Sequence, residues 1–276
     1  MKIKGRLAPR LASNFVLIVL TALCLFPLYY MLTTSFKNSE QFFNTYWWPA
    51  FPMHFENYAK AWETIGRSIF NSLLVCSISV FGILLTGSFA SYGFARFSNL
   101  KGAQVLFYAI IFLLMIPSIM TLIPSFMVTK SLGLLDTRWG LIIPYIAGGQ
   151  AFSILVLRAF FEATPKDLFD SAEIDGASEY RIYLSIALPM CASSLGIIAV
   201  WAFLGTWNNF IWPLIVIRKS ALHVVTIRLA LFRGTFASNF GVLFAGYTIA
   251  AIPLVILFLF SMKHFIRGAS EGAIKM

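Results

Sequence analysis

Long apolar stretches alternate with short polar connections along most of this chain. The stretches that could cross a membrane as helices lie at residues 15–35, 69–94, 105–128, 139–160, 183–217 and 242–265. A helix needs about 20 apolar residues to span the hydrocarbon core of a bilayer, so the pattern predicts six transmembrane helices. The fifth stretch is longer than the core requires, which predicts a tilt or a break near Pro189 or between Trp207 and Pro213.

Composition favours one all-α membrane domain over residues 1–276, in contact with lipid. Hydrophobic residues make up 59% of the chain and charged residues 12%, whereas soluble domains carry about a quarter charged residues. The net charge of +10 is spread over the connections, which indicates anchoring at the membrane interface rather than binding of nucleic acid. The three cysteines form no CxxC or Cys/His group, so we expect neither a disulfide framework nor a metal site.

The positions of Lys and Arg predict the orientation in the membrane. Lys2, Lys4, Arg6 and Arg10 precede the first apolar stretch, and basic residues before the first span usually face the cytoplasm. That stretch is too long for the core of a signal peptide, so we expect it to remain as an uncleaved span. Both termini and the connection after the fourth stretch are therefore predicted to be cytoplasmic in a multi-pass protein of a bacterial or archaeal cell membrane.

Acidic residues concentrate in the connection between the fourth and fifth stretches. Of the 11 in the chain, those beside or within it are Glu162, Asp167, Asp170, Glu173, Asp175 and Glu179. Residues 164–180, here called the elbow, predict two short helices: Thr164 is placed to cap the first, Gly176 to end it in the left-handed conformation, and Ser178 to cap the second.

The chemistry of the elbow suits a protein partner. Leu168, Phe169 and Ile174 are expected to supply apolar anchors, and the carboxylates charged contacts. The alternative is a helix lying on the lipid headgroups, but such helices favour Lys and Arg on their polar face.

The elbow contains the sequence DSAEIDGAS, and IALP follows it at residues 186–189. This pattern resembles the EAA loop of binding-protein-dependent ABC importer permeases, with Asp170 at the glutamate, Ser171 and Ala172 at the alanines, and Gly176 at the glycine. Asp170 and Ser171 depart from the family's pattern. Shorter matches extend over nearly the whole chain and are closest to the MalG-like carbohydrate permeases; they include Ser35-Phe36-Lys37, Phe55 with Asn57-Tyr58, Phe70-Asn71-Ser72, Phe94-Ala95-Arg96 and Trp207-Asn208.

The resemblance implies a type I ABC importer permease fold with six transmembrane helices and cytoplasmic EAA coupling helices. It also implies a heterodimer with a second homologous permease, two ATP-binding subunits and an extracytoplasmic solute-binding protein. The residues expected to couple to the ATPase are Leu168, Phe169, Asp170, Ser171, Ala172, Asp175, Gly176 and Ala177. This chain lacks the GxxxxGK[ST] phosphate loop, so we expect it to be no enzyme and to bind no cofactor, while ATP and Mg²⁺ are used by the partner ATPase.

The resemblance favours a sugar or oligosaccharide as the solute, although similar permeases carry polyols or glycerol phosphates. Trp207, Asn208 and Asn209 are candidate residues of the substrate pathway, because amides bind hydroxyls and an indole can stack on a sugar ring. Polar residues inside membranes also join helices to one another, so both roles stay open. The alternative class is a proton- or ion-coupled secondary carrier, but no Asp or Glu lies within the six stretches.

Overall fold

The computed structural model describes residues 7–236 and 238–273, with side chains from 13 to 236 and from 238 to 262. Within these ranges the chain forms helices and turns and no strand, which confirms the all-α prediction. The helices are α1 (Leu7–Ser35), α2 (Ser39–Asn44), α3 (Glu56–Arg96), α4 (Lys101–Phe112), α5 (Leu122–Ser131), α6 (Trp139–Glu162), α7 (Lys166–Ile174), α8 (Glu179–Ile182), α9 (Leu188–Met190), α10 (Ala192–Trp207), α11 (Ile211–Val216), α12 (Val225–Thr235) and α13 (Phe240–Ala273).

Four helices among the described residues are long and apolar enough to cross a membrane. They are Ser13–Ser35, Glu56–Arg96, Trp139–Glu162 and Phe240–Met262. A fifth crossing is formed if the bent pair Glu179–Met190 and Ala192–Trp207 is one span, with an angle of 75° between its halves. The length and composition of the helices therefore support four or five of the predicted spans directly.

The predicted span at residues 105–128 is not one continuous helix. Helix α4 passes into a short 3₁₀ turn at Leu113–Met115, and α5 begins only at Leu122. Ile116, which precedes Pro117, has the extended backbone angles φ −84° and ψ 117°. A residue before proline is driven out of the helical region by the pyrrolidine ring, and proline itself offers no N–H to continue the helix.

The break predicted in the fifth stretch is confirmed. A wide π turn at Tyr183–Ala187 precedes α9, which contains Pro189, and the bend follows at Cys191. A second interruption separates α10 from α11 at residues 208–210. Proline removes a helical hydrogen bond, which accounts for the irregular turns around Pro189.

The chain forms two compact units, of which the first comprises Met1–Gly66 and Leu229–Ile252. Lys37 is fully buried in this unit, and its Nζ donates to the carbonyl oxygens of Thr45 at 2.5 Å and Tyr46 at 3.2 Å. Burial lowers the pKa of the Lys37 ammonium. The Nδ2 of Asn57 donates to the carbonyl oxygens of Ser35 (3.0 Å) and Lys37 (2.9 Å). The polar residues that match the family here thus satisfy backbone groups of the fold.

The second unit comprises Arg67–Arg228 and Pro253–Met276, and it contains the elbow. Its core packs the elbow against α3 and α6. Gly87 and Gly149 allow these two helices to approach closely, since a Cβ at either glycine would collide with Ser153 or Ile83 on the facing helix. The buried residues of this core include Ile83, Tyr92, Leu157, Phe161, Phe169, Ile182, Tyr183 and Ile198.

Candidate functional site

The first helix of the elbow, α7, begins without the predicted cap. Pro165 occupies the N-cap position and no side chain accepts a hydrogen bond from the first turn. The hydroxyl of Thr164 instead donates to the carbonyl oxygen of Phe160, at 3.2 Å, one turn back in α6. The prediction for Thr164 is therefore wrong, because its hydroxyl satisfies the carbonyl end of the preceding helix. Asp167 lies in the first turn of α7, where the positive end of the helix dipole stabilises its carboxylate.

The turn between α7 and α8 has the predicted geometry. Gly176 has a φ of +79°, in the left-handed region. Its N–H donates to the carbonyl of Glu173, and the N–H of Ala177 donates to the carbonyl of Ala172, both at 2.9 Å. These two bonds form a Schellman motif, which closes the end of α7. The second predicted cap is also confirmed, since the Oγ of Ser178 accepts from the N–H of Arg181 at 3.4 Å.

The apolar residues of α7 lie on different faces. Leu168 and Ile174 are 43% and 86% exposed, as anchors for a partner require. Phe169 is buried at 7%, and its ring centroid lies 6.4 Å from that of Tyr92. The expectation that Phe169 reaches an external partner is therefore wrong, because its ring packs into the protein's own core and holds α7 there.

The carboxylates of the elbow divide into those that form ion pairs and those that form none with the described side chains. Glu162 accepts from the Nε of Arg158 at 2.8 Å, and Glu173 and Glu179 both pair with Arg96. Asp167, Asp170 and Asp175 are exposed and form no ion pair with any residue whose side chain is described. The negative charge that the elbow presents to its surroundings therefore comes mainly from these aspartates.

Arg96, the last residue of α3, joins both arms of the elbow. Its guanidinium pairs with Glu173 before the Gly176 turn and with Glu179 after it, where Nε lies 3.0 Å from Oε1. The hydroxyl of Tyr92 donates to the other oxygen of Glu179 at 2.6 Å. Such a fork clamps the two short helices of the elbow to the end of a 41-residue helix.

The sequence analysis gave Arg96 no role beyond its place in a family match. A signal was present, since a basic residue ends an apolar stretch in a chain whose acids concentrate in one connection. Which acids it pairs with depends on contacts between residues about 80 positions apart, and these only the fold decides.

The predicted pathway residues separate in the structure. Trp207 is 4% exposed and its ring stacks on Phe203, with centroids 5.5 Å apart. Asn208 and Asn209 line a cavity of about 670 Å³, and Trp207 is not among its lining residues. The remaining lining residues are Ser118, Ile119, Thr121, Leu122, Ser125, Pro144, Tyr145, Ala147, Gly148, Phe210, Ile211 and Trp212.

Among the described residues, no group of three or more His, Cys, Asp or Glu side chains could hold a metal ion. Cys76 and Cys191 are buried free thiols, and Cys24 is an exposed one. The elbow offers exposed carboxylates and apolar side chains for recognition, and the cavity offers neutral polar groups.

Comparison with known proteins gives consistent matches over most of the chain. The family model described as binding-protein-dependent transport system inner membrane component matches residues 78–271. The probable ABC transporter permease protein YurM of Bacillus subtilis is 33% identical over 262 residues, which cover 95% of this chain and 87% of that protein. The arabinooligosaccharides transport system permease protein AraQ, also of Bacillus subtilis, is 32% identical over 275 residues, with 96% of each chain covered.

A solved structure shares the fold. It is that of a bacterial ABC transporter involved in the import of the acidic polysaccharide alginate, and it matches with a TM-score of 0.81. The match covers 96% of this chain and 99% of that one, at 20% sequence identity. At this identity the likeness supports the architecture of the helices and leaves the solute undecided.

Proposed function

The chain belongs to the binding-protein-dependent transport system inner membrane components and is a permease subunit of an ABC importer; we propose that it carries a sugar or oligosaccharide and takes its motion from an ATPase through the elbow. The relative that transports arabinooligosaccharides supports this class of solute. The observation that carries the coupling role is the elbow itself, which is fastened to α3 on one side and exposed on the other.

We propose six membrane crossings in total. The four long helices and the bent pair account for five. The sixth would be the broken segment formed by α4, the 3₁₀ turn and α5. Irregular backbone is tolerated inside a membrane where protein or a water-filled cavity covers it, and the break at residues 116–121 borders the cavity that contains Asn208. The elbow and both termini would then lie on the cytoplasmic side.

The proposed assembly contains partners of three kinds. A second, homologous permease would complete the pathway, two ATP-binding subunits would use ATP and Mg²⁺, and an extracytoplasmic binding protein would deliver the solute. The family's description as binding-protein-dependent supports the last of these. This chain would act without a cofactor of its own.

The docking face of the elbow would consist of Leu168, Asp170, Ser171, Ile174 and Asp175. All five are exposed, and they combine two large apolar side chains with two carboxylates. Apolar side chains supply contact area in an interface, and charged groups at its rim supply specificity and a fast rate of association. Ala172 and Ala177 are half-buried, and their backbone groups close the Gly176 turn. Their small side chains keep that turn compact, so we assign them to the shape of the elbow.

Movement of the docking face would reach the membrane through Arg96. Because the guanidinium holds both arms of the elbow, the arms would move as one body with the end of α3. ATP changes the conformation of the permease only if it binds one state more tightly than the other, and the coupling cannot exceed this difference. A stiff link between the ATPase and α3 would transmit most of the available difference.

Asp170→Lys tests the docking face. We expect the amount of ATP-binding subunit that co-purifies with the permease to fall about tenfold, because a reversed charge in an interface costs on the order of 1 kcal/mol or more. The measurement is the molar ratio of ATP-binding subunit to permease after affinity purification at low and at high salt.

Glu63→Lys is the matched control, with the same change of charge at an exposed acid on the first half of α3. Its ratio should equal that of the unmodified chain. If Asp170→Lys retains as much ATP-binding subunit as Glu63→Lys at both salt concentrations, the elbow is not the docking face.

A further inference from the structure

We propose that the cavity around Asn208 and Asn209 is a subsite for an uncharged carbohydrate, in contact with the solute during import. This inference rests on the proposed transport function and adds to it the place of contact and the charge of the solute. The cavity lies entirely within the second compact unit, between α5, α6 and the α10–α11 junction. Its volume of about 670 Å³ is within the range of about 300–1,000 Å³ that is typical of small-molecule sites.

Two interruptions of helical structure meet at this cavity. Ser118, Ile119 and Thr121 come from the break between α4 and α5, and residues 208–210 come from the break between α10 and α11. A broken helix within a membrane leaves backbone groups without helical partners, and such breaks are characteristic of binding sites in transport proteins. That two separate breaks border one cavity indicates a site built for a polar solute.

The amides of Asn208 and Asn209 are held in place by hydrogen bonds, and each keeps free hydrogen-bonding capacity. The Nδ2 of Asn208 donates to the carbonyl of Leu204 at 3.0 Å, and the Oδ1 of Asn209 accepts from the N–H of Trp212 at 3.2 Å. Each amide therefore keeps one polar atom without a partner among the described side chains and backbone: the acceptor Oδ1 of Asn208 and the donor Nδ2 of Asn209. A sugar hydroxyl can both donate and accept, so it suits such a pair.

The lining also indicates the charge of the solute. Among the residues that the structure describes, those that line it contribute hydroxyls, amides and aromatic rings, but no Asp, Glu, Lys, Arg or His side chain. A uronic acid or a phosphate would lose water here without meeting an opposite charge, which is costly. A neutral sugar combines hydroxyls with apolar C–H faces, which the amides and the rings of Phe210 and Trp212 can contact.

Protection of one introduced cysteine from a thiol reagent tests the subsite directly, while Cys76 and Cys191 stay buried. In a Cys24→Ser background we would label the Ser125→Cys variant, in the cavity, with a small water-soluble thiol reagent in the complete transporter. The probes are uncharged di- and trisaccharides (arabinotriose, raffinose, cellobiose and diacetylchitobiose) and, at equal concentration, an alginate trisaccharide. We expect at least one neutral sugar to slow labelling threefold or more and the acidic sugar to have no effect, since the cavity offers no counter-charge.

Ser131→Cys is the control for this experiment. Ser131 is exposed on the same helix, α5, and is not part of the lining. Its labelling should be unaffected by any sugar. Equal protection at both positions, or protection by the alginate trisaccharide, would overturn the proposal.

The outcomes separate this inference from the function on which it rests. ATP-dependent uptake of a neutral sugar into proteoliposomes, together with unchanged labelling of Ser125→Cys, would reject the subsite and leave the importer intact. No ATP-dependent uptake of any member of the panel by the complete transporter would reject the sugar importer itself.

Discussion

At the scale of single residues, Gly176 shows most clearly how a backbone requirement serves the proposed coupling. Its left-handed φ of +79° closes the Schellman motif, and among the described residues beyond its two chain neighbours none lies within 4 Å of the position that a Cβ would take. Space is therefore not the constraint on this residue. The constraint is conformational, because most L-residues pay about 1–2 kcal/mol to adopt the left-handed region.

We predict that Gly176→Leu uncouples transport and that Gly176→Asn largely preserves it. Asparagine adopts the left-handed conformation more readily than leucine, so only leucine should displace the turn strongly. A cost of about 1–2 kcal/mol shifts an equilibrium about 5–30-fold. The measurement is the number of sugar molecules taken up per ATP hydrolysed by the complete importer.

Gly133 is a matched control for this prediction. It has a φ of +69°, and a Cβ there would likewise meet none of the described residues within 4 Å apart from its chain neighbours, but it lies in the turn after α5. Gly133→Leu should lower the yield of folded protein while leaving the ratio of uptake to hydrolysis near that of the unmodified importer. An equal fall in this ratio for both leucine variants would point to general damage and count against a special role of the elbow.

Whether a side chain is buried or exposed was less predictable than the backbone conformation of its residue. The apolar character of Leu168, Phe169 and Ile174 is plain from the sequence, but only two of them are exposed. α7 has nine residues, and such a short amphipathic pattern does not say which apolar side chain belongs to the core. Trp207 is a similar case: its indole is suited to a sugar ring, but it is 4% exposed and packs on Phe203, and only the fold shows this.

At the scale of elements, the contact between α3 and the elbow carries the mechanical argument. Arg96 is 22% exposed, whereas Glu173 and Glu179 are 44% and 47% exposed. Ion pairs of this exposure contribute little to stability, about 0–1 kcal/mol each. Their importance here would lie in geometry, since one planar guanidinium fixes two short helices that have little contact area of their own.

We predict that Arg96→Gln loosens the elbow and lowers the ratio of sugar uptake to ATP hydrolysis about threefold, in line with the loss of one or two weak ion pairs. Arg96→Lys should give an intermediate value, because an ammonium keeps the charge but loses the planar fork. The same uptake and hydrolysis assays measure the effect, with the total amount of assembled complex held equal.

The control is Arg158→Gln, which breaks the pair with Glu162 and the contact with the ring of Phe107 but leaves the Gly176 turn untouched. We expect a coupling ratio close to that of the unmodified importer for this variant. Full coupling in Arg96→Gln would show that α3 receives no motion through this residue.

The broken helices belong to the same scale. Proline in an apolar stretch is visible in the sequence, and it interrupted the helix as expected near Pro189. The stretch at residues 105–128 is interrupted by the same rule, at Ile116 and Pro117. Hydropathy alone shows neither break, since a broken span and a continuous one remove similar side chains from water.

At the scale of the whole molecule, the decisive question is the side of the membrane on which the elbow lies. An ATPase that works in the cytoplasm can bind the elbow only there. The orientation follows from the basic residues before the first span, and the proposed six crossings would return the C-terminus to the same side.

We predict that the Ser171→Cys variant, in the Cys24→Ser background, is protected from a membrane-impermeant thiol reagent in intact cells. It should be labelled readily in inverted membrane vesicles, because Ser171 is exposed on the elbow. Glu63→Cys, at an exposed position of α3 predicted to lie outside, should show the opposite pattern. Labelling of Ser171→Cys in intact cells would place the elbow on the outer face, where no cytoplasmic ATPase could reach it.

The sequence alone determined the membrane class, the all-helical composition and the position of the elbow with its left-handed glycine. These features depend on local chemistry: the length of apolar runs, the backbone freedom of glycine and the clustering of acids within one connection. The tertiary structure decided which acids pair with Arg96, that Phe169 is buried, and that two distant breaks border one cavity. Those features arise from contacts between segments far apart in the chain, whose side chains meet only when the helices pack.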